Sequence, residues 1–199
     1  MTRQVSDRFT YNKQSYKLAC LPAPYVVFEP NKYGLNPEMA STNCGRGYWC
    51  EYAIEDDMLI LKQLHIHTKG EVYPDLNGAH AILPTPIDLN AKSIQVTTMD
   101  NIMHLAIYEP NMLVPYNSRL LLGRDFMSDK YEYMGFLSTW GYRELLELVF
   151  EKGFVKEVID QSKVAVQIRE LKKVINQSEA AAQIQELKEK HWWLLKYSV

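Results

Sequence analysis

The chain is predicted to be mostly β and α+β overall: an antiparallel β-barrel or β-sandwich followed by a C-terminal helical appendage. Three observations carry this. Short alternating or apolar runs recur along residues 1–160 between clusters of Asn, Asp, Gly and Pro, the rhythm of sandwiches and barrels. No strand–helix–strand alternation with a Gly-rich turn breaks the series. Beyond residue 160 the apolar period lengthens to that of a helix. The chain is therefore expected to divide into a β-rich globular domain, 1–160, and a helical tail, 161–199.

The elements follow in order. Phe9–Tyr11 and Tyr16–Cys20 flank Asn12-Lys-Gln-Ser15, an opening hairpin. Tyr25–Phe28, with two valines at its centre, reads as a strand that stops at Glu29-Pro-Asn-Lys-Tyr-Gly34. Tyr48–Ile54 and Met58–His67 form the clearest pair, joined by Glu55-Asp56-Asp57. With strict alternation, Leu59, Leu61, Gln63, His65 and His67 share one face of the second strand. Further strands are expected at Ser93–Thr98, Met103–Tyr108 and Ser118–Leu122. Glu144–Phe150 and Phe154–Ile159 read as an antiparallel pair closed by a three-residue loop, with Gly153 in the left-handed conformation.

The tail is a tandem repeat. Residues 158–173 and 174–189 are identical at ten of sixteen positions. Ser162 and Ser178 are each placed to cap a helix. Behind them run the apolar stripes Val164, Ile168, Leu171 and Ala180, Ile184, Leu187. A period of sixteen residues turns an ideal helix by about 160°, so one straight helix would aim its two stripes in nearly opposite directions. Either that helix is buried on two sides, or it breaks near Asn176-Gln-Ser178 into a hairpin. Trp192 and Trp193 close the tail and must bury against something, either the β domain or a partner.

Composition narrows the function. The 199 residues are 47% hydrophobic and 23% charged, enough to close a core. A net charge of −2, with both signs mixed along the chain, gives neither the basic footprint of a nucleic-acid binder nor an attraction to anionic membranes. The start of the chain has no signal-peptide apolar run and no window suits a membrane helix, so a cytoplasmic location is expected. Three sparse cysteines, Cys20, Cys44 and Cys50, fit a reducing compartment, with Cys44–Cys50 the one bridge an oxidising route would favour.

Site candidates are few. His65 and His67, two apart on a strand, point the same way and are placed to share one metal ion. They continue to Glu71 and Gly78, and this His-x-His-x3-Glu-x6-Gly pattern resembles the core of the first cupin motif. The resemblance spans fourteen residues and implies an all-β barrel with His65, His67 and Glu71 as ligands of a transition metal. The glycine of that motif six residues before the first histidine is here Leu59, and His104 followed by Tyr108 stands where a second motif would lie. A Cys2His2 site from Cys44, Cys50 and the histidine pair would need wider cysteine spacing than zinc knuckles use. No Gly-x-Ser-x-Gly elbow or phosphate-binding glycine loop is present. Arg124-Asp125 reads as a strand-end ion pair, and Trp49, Tyr52 and the tyrosine cluster around Tyr131 and Tyr133 as core or as the lining of a barrel pocket.

These residues favour a non-catalytic binding or interaction module. Its tail is expected to dock a protein partner, or a second copy of the chain in a homo-oligomer, through Ile168, Leu171, Ile184, Leu187, Trp192 and Trp193. A cupin-like metal-dependent enzyme using His65, His67 and Glu71 is the first alternative. A small-ligand carrier inside the barrel is the second. No other cofactor is implied.

Overall fold

The computed structural model describes residues 5–22, 26–68, 72–83, 105–127, 138–173 and 178–197. Its strands are β1 (Arg8–Tyr11), β2 (Gln14–Cys20), β3 (Tyr48–Glu55), β4 (Met58–Ile66), β5 (Ala106–Tyr108), β6 (Met112–Leu113), β7 (Arg119–Phe126), β8 (Tyr142–Glu151) and β9 (Phe154–Asp160). Seven of them close into a barrel in the order β3-β1-β2-β7-β8-β9-β4, and β4 returns to β3. Short β5 and β6 run along the edge of β4. Two helices follow, α1 (Ser162–Lys173) and α2 (Ser178–Lys190), and then a 3-10 turn over Trp192–Tyr197.

The barrel is mixed, which corrects the expectation of a purely antiparallel one. β1 lies parallel to β3, with Phe9 opposite Tyr52, while its other edge pairs antiparallel with β2. The cause is the long connection over 21–47. It takes the chain from β2 to the far edge of β1, a crossover that a tight turn has no length to make. That connection also corrects the strand expected at Tyr25–Phe28, because Val26, Val27 and Phe28 adopt no strand. Val27, Phe28 and Leu35 instead turn into the core from a loop, and the Tyr48 hydroxyl donates to the Phe28 carbonyl at 3.0 Å. The strand expected at Ser93–Thr98 lies outside the described residues, as do Met103 and His104.

Three hairpins share one tip. Asn12-Lys13, Asp56-Asp57 and Lys152-Gly153 all have positive φ at both residues, between 49° and 85°. That is the two-residue turn whose twist matches the strands it joins. The first and last tips are tighter than the loops expected from sequence, so pairing reaches Tyr11–Gln14 and Glu151–Phe154. Gly153 is doubly constrained: its φ is +85°, and a Cβ there would stand 2.3 Å from the Val114 carbonyl oxygen.

The barrel interior is a packed core of Phe9, Tyr16, Tyr48, Cys50, Tyr52, Leu59, Leu61, Leu64, Ile66, Leu120, Leu122, Leu148 and Phe150. β4 reaches it in an unexpected way. Leu59 and Leu61 point inward, but so do Leu64 and Ile66, because Lys62 is an extra residue of β4, a bulge set between the Leu61–Tyr52 and Gln63–Glu51 pairs. An extra residue in one strand shifts alternation by one beyond it. Leu59 and Leu61 therefore do not share a face with His65, and the strict alternation read from sequence fails at that point.

Candidate functional site

The helical tail is seated on the outer face of the barrel. Leu121 of β7, Tyr142 and Leu145 of β8 and Cys20 of β2 point outward and form a second core with Ala165, Ile168, Trp193 and Leu194. Gly123 makes room for this face, since a Cβ there would meet the Tyr142 ring at 2.5 Å. Each contact replaces water on both surfaces, at roughly 25 cal/mol per Å² of apolar area.

One buried carboxylate ties the tail to the barrel. Glu147 of β8 is 2% exposed. It accepts hydrogen bonds from Trp192 Nε1 at 2.8 Å, Gln161 Nε2 at 2.7 Å and an Arg119 guanidinium nitrogen at 3.0 Å. A buried charge needs a counter-charge and filled acceptor sites, and these three donors supply both. Around it, burial lowers the pKa of His191, with the Glu147 charge opposing and Lys190 adding to the shift.

The start of α1 is fixed by the same face. Asp160 Oδ1 accepts the Ser162 N–H at 2.8 Å, and the Ser162 hydroxyl together with this N–H holds the Asp160 carboxyl below its ordinary range. The Ser162 hydroxyl, expected to cap the helix, instead accepts the backbone N–H of Leu145 in β8 at 3.0 Å. Arg169 then reaches back from α1 to donate to the carbonyls of Trp140 and Tyr142.

The residues assigned to a partner surface fall into two groups. Ile168 and Trp193 are buried within the chain, at 2% and 0% exposure, and Trp192 is committed to Glu147. Leu171, Ile184 and Leu187 are half-buried. Leu187 packs at the margin of the second core. Among the described side chains of α2, Ala180 alone is buried.

The histidine pair is less converged than its spacing suggests. The His65 ring lies flat on Trp49, with centroids 3.7 Å apart and planes 5° apart. Trp49 belongs to a small outer cluster with Cys44 and Leu105, under the guanidinium of Arg8 at 4.8 Å. His67 follows the end of β4, where its backbone bonds to Gly47 and Glu38. Glu71 lies outside the described residues. Among the described residues no group of three or more His, Cys, Asp or Glu is placed to hold a metal.

Trp49 therefore faces outward and Tyr52 faces the barrel interior, stacked on Phe9 at 4.7 Å, while Tyr131 and Tyr133 lie outside the described residues. Burial pushes the thiols of Cys44 and Cys50 up, so both stay protonated and are poor ligands and nucleophiles. All three cysteines are buried and none is in a disulfide.

Two polar clusters were not legible as such. Asp7, buried, pairs with Arg46 and accepts the Cys50 N–H at 2.8 Å. Burial opposes the Arg46 charge, but Asp7, Cys50 and Tyr48 together outweigh it and the guanidinium pKa is raised. At one barrel end Arg124 pairs with Glu144, which also accepts the Tyr16 hydroxyl at 2.5 Å. Burial and Glu144 push Tyr16 up to about 12, so its hydroxyl stays protonated. Arg124 pairs across to β8 and not with its neighbour Asp125. Each cluster joins elements far apart in sequence.

A shallow cavity of about 230 Å³ opens beside Val27, Phe28, Tyr33, Val114 and Tyr116. The Tyr116 hydroxyl is already committed to the Arg119 carbonyl at 3.0 Å. No helix among the described residues is long and apolar enough to cross a membrane. Comparison with known proteins finds no family model, no curated protein and no solved structure that matches the chain.

Proposed function

We propose that the chain is a non-catalytic protein-interaction module in which α2 is the docking element, its partner a second protein or another copy of the chain. The observation behind this is the unequal burial of equivalent residues. Ile168, in the first repeat, is 2% exposed, whereas its counterpart Ile184 is only half-buried. Leu187 is half-buried beside it. An apolar stripe at helical spacing that the parent fold leaves half open suits helix-in-groove recognition, which reads such anchors three and four residues apart.

The first repeat and the aromatic end serve as the mount. Trp192, Trp193 and Ile168 hold the tail to the barrel from both sides of α2, so the stripe is presented at low entropic cost. The test compares the native chain with an Ile184→Asp/Leu187→Asp variant by mass-resolved chromatography at native abundance. The native chain is expected to run in a complex of defined mass and the variant to lose that complex and run at a lower mass with unchanged circular dichroism. Equal masses for the two would overturn the reading.

A further inference from the structure

β9 is the most exposed strand of the barrel. It pairs with β8 along its length, but among the described residues its other edge meets β4 at one residue pair, Phe154 with Met58. From there β5 and β6 occupy the edge of β4, and β9 diverges. Among the described residues nothing pairs with the outer edge of 156–160, which makes it a template for another strand. Phe154 and Val158 are 41% and 40% exposed on it, where the other barrel strands bury most of their apolar residues.

We propose that this edge pairs antiparallel with the same edge of a second copy, across a two-fold axis at Val158. Symmetry limits the registers. Successive cross-strand pairs alternate between hydrogen-bonded and non-bonded types, so a two-fold axis must pass through a residue paired with itself. Centring on Lys156 sets lysine against lysine, and centring on Glu157 sets glutamate against glutamate. Like charges directly opposite destabilise a strand pair. Centring on Val158 sets valine against valine and places Lys156 opposite Asp160 twice, while using the whole free edge.

The charges are available for this. Lys156 now has Glu151 at 3.6 Å, with both side chains more than half exposed, a pairing worth little. Asp160 is held by the Ser162 N–H and hydroxyl, and its side chain stays exposed at the end of this edge. Such an edge would ordinarily be blunted by its charges and by its bulge against β8. Only a partner with the same spacing of opposite charges turns those devices into contacts, and a second copy supplies it.

Sedimentation equilibrium over a range of concentrations tests this, with circular dichroism confirming the fold of each variant. The native chain is expected at twice its 23.2 kDa mass in the upper range. Lys156→Asp and Asp160→Lys each create two like-charge pairs and are expected as monomers. An equal mixture of the two restores both pairs and is expected to form the mixed dimer. Because Asp160 also caps α1, Val158→Glu serves as a second disruptor that leaves the cap alone. A native chain that stays monomeric up to about 1 mM overturns the proposal. So does a Lys156→Asp or Val158→Glu variant that remains dimeric, or a folded pair of charge variants that fails to mix. Ile184→Asp is expected to leave this dimer intact. If it abolishes the dimer while Lys156→Asp does not, association belongs to α2 and not to β9.

Discussion

The two copies of the repeat share ten of sixteen residues yet meet different fates. α1 lies against β8 with Ala165 and Ile168 fully covered, whereas α2 buries Ala180 and leaves Ile184 and Leu187 half open. The substituted positions explain it. Asp160, which caps α1, becomes Asn176; Val164 becomes Ala180; and Arg169, which clasps two barrel carbonyls, becomes Gln185. The shared residues supply the helix and its stripe, while the changed ones supply the seat. A common apolar pattern thus says that a helix will bury a face without saying against what.

The mount offers the largest break. Trp193→Ala empties a fully buried site in the second core and is expected to cost about 3–5 kcal/mol in denaturant unfolding. Glu147→Ala strips one acceptor from three donors, Trp192, Gln161 and Arg119, and should approach the same range of about 3–5 kcal/mol. A loss below about 1 kcal/mol in either would mean that the tail does not depend on this face.

Equivalent substitutions sharpen the contrast between copies. Ile168→Ala is expected to cost about 2–4 kcal/mol, and Ile184→Ala less than about 1 kcal/mol, because only the first leaves a cavity in a closed core. Equal costs would erase the asymmetry.

The smallest effects concern pH. Burial lowers His191 from its ordinary 6.5. The unfolded chain therefore binds a proton there first, and the stability His191 contributes is present above pH 6.5 and lost as pH falls through its folded value. Asp160, held below its ordinary 3.8 by the Ser162 bonds, adds stability present above that value and lost further into acid. His191→Gln should flatten the first part of the pH–stability curve and Asp160→Asn the second, as measured by thermal melts. A curve that keeps its full slope in both variants would contradict these assignments.

Much of the barrel could be read in the chain and much could not, for local reasons. The three Asn-, Asp- and Gly-bearing hairpins follow from turn chemistry, and the helical period after residue 160 from side-chain spacing. The parallel β1–β3 pair depends on where the 21–47 connection returns, which no short window records. The bulge at Lys62 is silent in sequence as well, and it turned His65 onto Trp49 and away from the face of Leu59 and Leu61. Nothing near Glu147 in the chain marks its role, which depends on Trp192, forty-five residues later. The tail stripe was visible, but which of its residues the barrel would take was not.

Amide hydrogen exchange on the native chain tests the central contrast most directly. α1, 162–173, should exchange only near the global unfolding limit, while α2, 178–190, should open locally and exchange orders of magnitude faster. Matching protection in the two helices would show that both copies are equally seated, and would contradict the account.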